Sequence, residues 1–147
     1  MIRDFEEKDK AAFFEMADAF YHSDAVLHTV DPAYFVQTFS RCVAKDPYVR
    51  GLLYEAADGT PAAYCLLALT YSNEVGGLVV WIEEVYVKDK YRGQGLGSAL
   101  LRHVHELYRD AARFRLEVTA ENTGAIALYK RLGYQMLDYL QMSKEHS

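Results

Sequence analysis

The residues that could carry chemistry gather in the second half of this chain. Gly93, Gly95 and Gly97 alternate in "YRGQGLGSALL", which runs straight into apolar residues at helical spacing. Glycine inside a regular element costs roughly 0.5 to 1 kcal/mol relative to alanine, so such a cluster serves either a tight turn or a ligand that approaches the backbone closely. At a helix entrance the unpaired N–H groups and the helix dipole favour an anion, and a phosphate fits. No Lys-Ser or Lys-Thr pair follows the glycines, which argues against a P-loop. The frame is GxGxG with Ser98 in the place of the third glycine of a dinucleotide fingerprint. Just upstream, Glu83 and Glu84 are adjacent carboxylates in "LVVWIEEVYV". Neighbouring strand residues point to opposite faces, so only one of the two can look into a given cleft while the other faces solvent or packs against a helix. His22, Asp24 and His28 lie together on a link between two helices, and partly exposed loop histidines are the simplest reading of His22 and His28. Cys42 and Cys65 sit in apolar surroundings with no spacing of a metal site, and read as reduced packing residues without an activating neighbour.

The elements that must position these residues follow from periodicity. Met1 to Phe5 reads as a short strand. Phe13, Phe14, Met16, Ala17 and Phe20 recur at helical spacing in a helix from Lys8 to Tyr21. Asp31 and Pro32 supply an N-cap and a first-turn proline for a second helix running to about Ala44. Strands are expected over Val49 to Ala56 and Ala62 to Tyr71, joined by an Asp58-Gly59 hairpin turn, and over Leu78 to Val87 after a bend at Gly76 and Gly77. Past the glycines, Leu96, Leu100, Leu101, Val104 and Leu107 form a helical stripe, and Arg113 to Ala120 returns to a strand. Asn122 caps a last helix that stops at Gly133, and a closing strand is expected from Tyr134 to Met142. The strand-helix-strand from Leu78 to Ala120 is a crossover that requires parallel pairing. The fold class is therefore α/β, one domain over residues 1–147 with a mixed, mostly antiparallel twisted sheet flanked by about four helices.

Composition narrows the function. The chain has 147 residues, 51% hydrophobic and 25% charged, with a formal charge of -5. That balance disfavours nonspecific nucleic-acid binding and suits cationic partners. No apolar run approaches the roughly 20 residues that span a membrane, and "MIRDFEEKDK" is charged where a signal peptide is apolar, so a cytoplasmic protein with no membrane partner is expected.

Read as RxxGxG, the residues Arg92, Gly95 and Gly97 after "EEVYV", together with "ENTGAIALYKRLGY" further on, closely resemble the GNAT superfamily of N-acetyltransferases. The element order matches along the whole chain, while the specific motifs lie between about Trp81 and Tyr134. The resemblance implies acetyl-CoA as co-substrate, its pyrophosphate held by the backbone of Arg92, Gly93, Gln94, Gly95, Leu96, Gly97 and Ser98. It also implies that strands splay beside Val85, Tyr86 and Val87 to free main-chain groups for the oxyanion, and that Asn122 contacts the cofactor, although capping explains Asn122 equally well. By resemblance to the polyamine branch, Glu83 is favoured over Glu84 as base or amine anchor. Tyr129 occupies the position of a tyrosine that protonates the departing CoA sulfur. An unperturbed phenol giving its proton to a thiolate is uphill by roughly 2 kcal/mol, so Tyr129 must be tuned or act mainly as a hydrogen-bond donor. Lys130 and Arg131 could meet CoA phosphates or simply be solvated at a helix end. The expected acceptor is a small cationic amine. The alternatives are a protein lysine or N-terminal amine, or a non-catalytic acyl-CoA-binding module. The resemblance also allows a homodimer paired through the C-terminal strand.

Overall fold

The computed structural model describes residues 1–146. Five strands form one sheet in the order β1-β2-β3-β4-β5: β1 (Ile2–Asp4), β2 (Val49–Glu55), β3 (Pro61–Ser72), β4 (Gly77–Val87) and β5 (Arg113–Leu116). The first four pair antiparallel. β5 joins β4 in parallel, as the intervening crossover demands. Four helices flank the sheet: α1 (Lys10–Phe20), α2 (Pro32–Val43), α3 (Leu96–Leu107) and α4 (Thr123–Arg131). Among the described residues no helix is long and apolar enough to cross a membrane.

Alternation along the strands gives the sheet two buried faces. On one, Phe5, Leu53 and Tyr64 meet Phe13, Met16, Phe35 and Phe39 from α1 and α2. On the other, Leu52, Cys65, Leu67, Val80 and Ile82 meet Leu96, Leu100, Leu101 and Val104 of α3, with Leu128 and Tyr129 of α4 packed alongside. The expected caps are present. The Asp31 carboxylate accepts the Ala33 N–H at 2.9 Å, and the Asn122 side-chain oxygen accepts that of Ala125 at 3.3 Å. Gly59 takes φ 86° in the β2–β3 turn.

Three expectations differ from the structure. α1 begins at Lys10, not Lys8, because Glu7–Asp9 form a separate 3-10 turn. The Asp9 carboxylate, 2% exposed, accepts two hydrogen bonds from Arg3 and one from the Glu6 N–H, which holds that turn apart from the helix. β5 stops at Leu116, short of Ala120. The closing strand over Tyr134 to Met142 does not form, and the described residues after Gly133 carry no regular secondary structure. Side chains tether that segment. The Tyr134 hydroxyl lies 2.8 Å from His105 Nε2, and the Tyr139 hydroxyl donates to Glu74 at 2.6 Å. A cavity of about 790 Å³ separates the segment from β5, so its backbone does not join the ladder.

Candidate functional site

The site begins where β4 loses its partners. β5 pairs with β4 only across Val79–Ile82, so from Glu83 to Val87 that edge of β4 has no neighbouring strand. On its other side the ladder to β3 shifts register, with Leu66 opposite Glu84 but Leu67 opposite Ile82. Glu83 is thus the extra residue of a β-bulge, which breaks the strict alternation that the sequence suggested for the two glutamates.

The bulge gives the carboxylates different surroundings. Glu84, 8% exposed, is enclosed by two phenols. Tyr21 donates to Oε2 at 2.5 Å and Tyr64 to Oε1 at 2.7 Å. Desolvation pushes the Glu84 carboxyl above the usual carboxylate range, and the two phenols oppose that shift without overcoming it. Glu83 reaches solvent. Its carboxyl is also raised, first by the protein atoms that displace water around it, then by the negative charges of Glu84 and Glu117. Thr119, beyond β5, donates a long hydrogen bond of 3.5 Å to the carbonyl of Asp24. The link between α1 and α2 therefore reaches across to the segment after β5. Tyr21, at its root, is bonded to Glu84 and stacked on Phe35 with ring centroids 5.8 Å apart.

The glycine turn sits at the C-terminal end of β4. Gly93 and Gly95 adopt φ 78° and 80°, the left-handed region that L side chains avoid. Gly95 is the N-cap of α3, and no side chain caps that helix. The N–H groups of its first turn are left for an acceptor from outside, with the positive end of the helix dipole behind them. A cavity of about 300 Å³ lies there, walled by residues of the turn together with Val87, Gly124, Leu128 and Arg131. Arg92, Gly93, Gly95, Leu96, Gly97 and Ser98 all line it, whereas Gln94 is exposed and does not. Arg92 is also tied to its own surroundings: Nε donates to the Val87 carbonyl at 3.0 Å, and the guanidinium pairs with Asp89 at 2.9 Å. The donor set is one of backbone amides flanked by two guanidinium groups, which fits a pyrophosphate.

α4 brings the remaining candidates. Asn122 uses its side-chain oxygen as the cap. Arg131 lines the smaller cavity, and Lys130 lines the larger one beside β5. Tyr129 packs against the α3 side of the core, and burial, helped by Cys65, pushes its hydroxyl above the ordinary phenol range. That shift runs against easy proton release and favours Tyr129 as a hydrogen-bond donor. His22 turns back to the Asp18 carbonyl at 2.7 Å, and His28 is exposed. Both cysteines are free and buried, Cys65 completely. Desolvation raises the Cys42 thiol to about 12 and Cys65 further, so neither offers a thiolate nucleophile.

The acetyltransferase (GNAT) family model matches residues 10–134. The chain belongs to this family. Among curated proteins, thialysine N-epsilon-acetyltransferase of Sus scrofa is 36% identical over 98 residues, covering 60% of this chain and 57% of the relative. Spermine/spermidine N(1)-acetyltransferase of Bacillus subtilis is 36% identical over 99 residues, covering 65% of this chain and 64% of the relative. The chain thus spans about three fifths of the length of these relatives. A solved structure described as a possible acetyltransferase from Clostridium difficile 630 superimposes with a TM-score of 0.82 at 19% identity, over 100% of this chain and 97% of its own, and establishes the likeness of fold. Sequence reasoning missed Tyr21 and Tyr64 as partners of Glu84, and Glu117 beside Glu83. Only Tyr64 left a signal, as the one polar tip inside the apolar run "AAYCLLA".

Proposed function

We propose that this chain is an acetyl-CoA-dependent N-acetyltransferase acting on a small cationic amine, its residues 1–147 forming a single catalytic domain. The observation that carries the reading is the juxtaposition, on one parallel crossover, of an uncapped helix N-terminus with the bulged carboxylate of Glu83 at the unpaired edge of β4. Acetyl-CoA would rest its pyrophosphate on the N–H groups between Gly93 and Ser98, with Arg92 and Arg131 beside it. The thioester would lie along the free edge of β4, where backbone N–H groups between Val85 and Val87 are candidates for the developing oxyanion.

The chemistry then distributes over few groups. An alkyl ammonium has a pKa about three units above neutral, so presenting it as a free amine costs roughly 4 kcal/mol without a base. Glu83, accessible and raised in pKa, is suited to take that proton. The amine nitrogen attacks the thioester carbonyl, the C–S bond breaks, and the new amide nitrogen sheds its remaining extra proton to solvent. Tyr129 donates a hydrogen bond that stabilises the departing thiolate until solvent protonates it. Glu84 is held by two phenols, which suits a role in fixing the bulge and the α1–α2 link more than proton transfer. The negative field of Glu83, Glu84 and Glu117 favours a cationic acceptor, in keeping with the amine substrates named for the curated relatives.

The test combines calorimetric binding of acetyl-CoA with CoA release in the presence of spermidine, thialysine, lysine and a lysine peptide. Binding together with turnover on a small amine is expected, and Tyr129→Phe should lower turnover far more than CoA affinity. Absence of acetyl-CoA binding at millimolar concentration refutes the reading, and wild-type turnover in Tyr129→Phe removes that residue's role.

A further inference from the structure

We propose that His105 is a positioning residue for Tyr129, acting through the hydroxyl of Tyr134. The inference rests on Tyr129 being the hydrogen-bond donor to the departing thiolate argued above. The buried stripe of α3 consists of Leu96, Leu100, Leu101 and Val104. The next ring along it belongs to a histidine, although an aliphatic residue would pack there without losing hydration. His105 stands edge-on to Phe114 of β5, with centroids 4.8 Å apart at 64°. Its Nε2 lies 2.8 Å from the Tyr134 hydroxyl, a bond between residues 29 positions apart in the chain. Burial lowers the pKa of this imidazole and so favours the neutral ring, whose Nε2 accepts a hydrogen bond from the phenol in the Nδ1–H tautomer and donates one to it in the other.

Tyr134 is held to Tyr129 from the other side. Its N–H donates to the Tyr129 carbonyl at 3.0 Å, and the two rings are tilted at 57° with centroids 5.9 Å apart. Gly133, at φ 96°, turns the chain so that Tyr134 folds back beneath α4. The three side chains therefore form a row from α3 through the post-helical segment to α4. The hydrogen bond to His105 fixes where the Tyr134 ring lies, and that ring in turn limits the tilt open to Tyr129. A donor displaced by about an ångström from a reacting atom can cost up to a hundredfold in rate, so a weak structural bond can have a large kinetic effect.

The experiment compares Tyr134→Phe, which removes one oxygen and keeps the ring, with His105→Leu and His105→Gln. Tyr134→Phe and His105→Leu are expected to lower kcat about tenfold while the KM for acetyl-CoA and the melting temperature stay near the parent values. His105→Gln, whose amide can still meet the phenol, should recover most of that loss. In a Tyr129→Phe background, adding Tyr134→Phe should change kcat no further, because the effect passes through the missing hydroxyl. A Tyr134→Phe enzyme with parental kcat overturns the proposal, as does a tenfold loss that multiplies fully onto Tyr129→Phe. A drop in melting temperature with kcat intact marks a purely structural clamp and overturns it too. Parental turnover in Tyr129→Phe alone is a separate outcome, which overturns the role given to Tyr129 under the proposed function.

Discussion

Gly95 and Gly97 offer a paired test of why glycines stand at the start of α3, because alanine at the two positions should shift stability in opposite directions. At Gly95 an added Cβ meets nothing within 4 Å, so the cost of alanine is purely that of holding an L residue at φ 80°, about 1 kcal/mol. Gly97 lies inside α3, outside the left-handed region, and its added Cβ would make an ordinary 3.8 Å contact with Leu128. Alanine there should stabilise the helix by about 1 kcal/mol. For a chain of this size each change corresponds to about 2 to 4 °C in melting temperature. Gly95→Ala is expected to melt lower and Gly97→Ala higher than the parent. Both should bind acetyl-CoA more weakly, Gly97→Ala by about tenfold or more, since its methyl group enters the wall on which the ligand's phosphates would lie. Thermal melting and isothermal calorimetry on the two variants decide the matter. Parental acetyl-CoA affinity in Gly97→Ala would refute close backbone approach as the reason for that glycine, and an unchanged melting temperature in Gly95→Ala would refute the conformational argument.

Three further outcomes are expected. Tyr64→Phe removes one of the two donors to the buried Glu84 carboxylate and should cost about 1 to 3 kcal/mol, read from urea unfolding. Because the Glu84 carboxyl is raised on folding, its contribution favours the native state fully below the ordinary glutamate pKa of about 4.3 and is lost as pH rises through the higher folded value. Glu84→Gln should therefore flatten the difference in stability between pH 4 and pH 7, and a variant that keeps the parental profile contradicts the assignment. Asp31→Ala deletes the α2 cap and should cost about 1 kcal/mol by the same unfolding assay, with acetyl-CoA affinity unaffected.

Much of the architecture is written in local patterns. The spacing of Phe13, Met16, Ala17 and Phe20 gave α1, and Asp31-Pro32, Asn122 and Asp58-Gly59 marked boundaries through chemistry confined to a few residues. The glycine turn was legible for the same reason: left-handed φ values at Gly93 and Gly95 leave few alternatives. What escaped depends on long-range pairing. The bulge that separates Glu83 from Glu84 arises from register against β3, and no local feature of "WIEEVYV" announces it. Tyr21 meets Glu84 across 63 positions of sequence, and His105 meets Tyr134 across 29. A closing strand over Tyr134 to Met142 needs a neighbouring backbone within hydrogen-bonding distance, which the residues of that segment cannot specify by themselves. Here the edge of β5 stands across a cavity, and Leu140 is 100% exposed.

The root of the α1–α2 link, Tyr21, is fastened to β4, and its crest touches the opposite wall through one long bond between Thr119 and the Asp24 carbonyl. The glycine turn, by contrast, is built wholly from the crossover that follows residue 77. Under the proposed reading, the carboxylates that meet the amine and the turn that meets the donor share one crossover, and residues 22–31 add a loop pinned at its root by Tyr21 and at its crest by Thr119. Substitutions in that loop can then reshape the rim of the acceptor cleft while leaving both the charged floor and the donor seat in place.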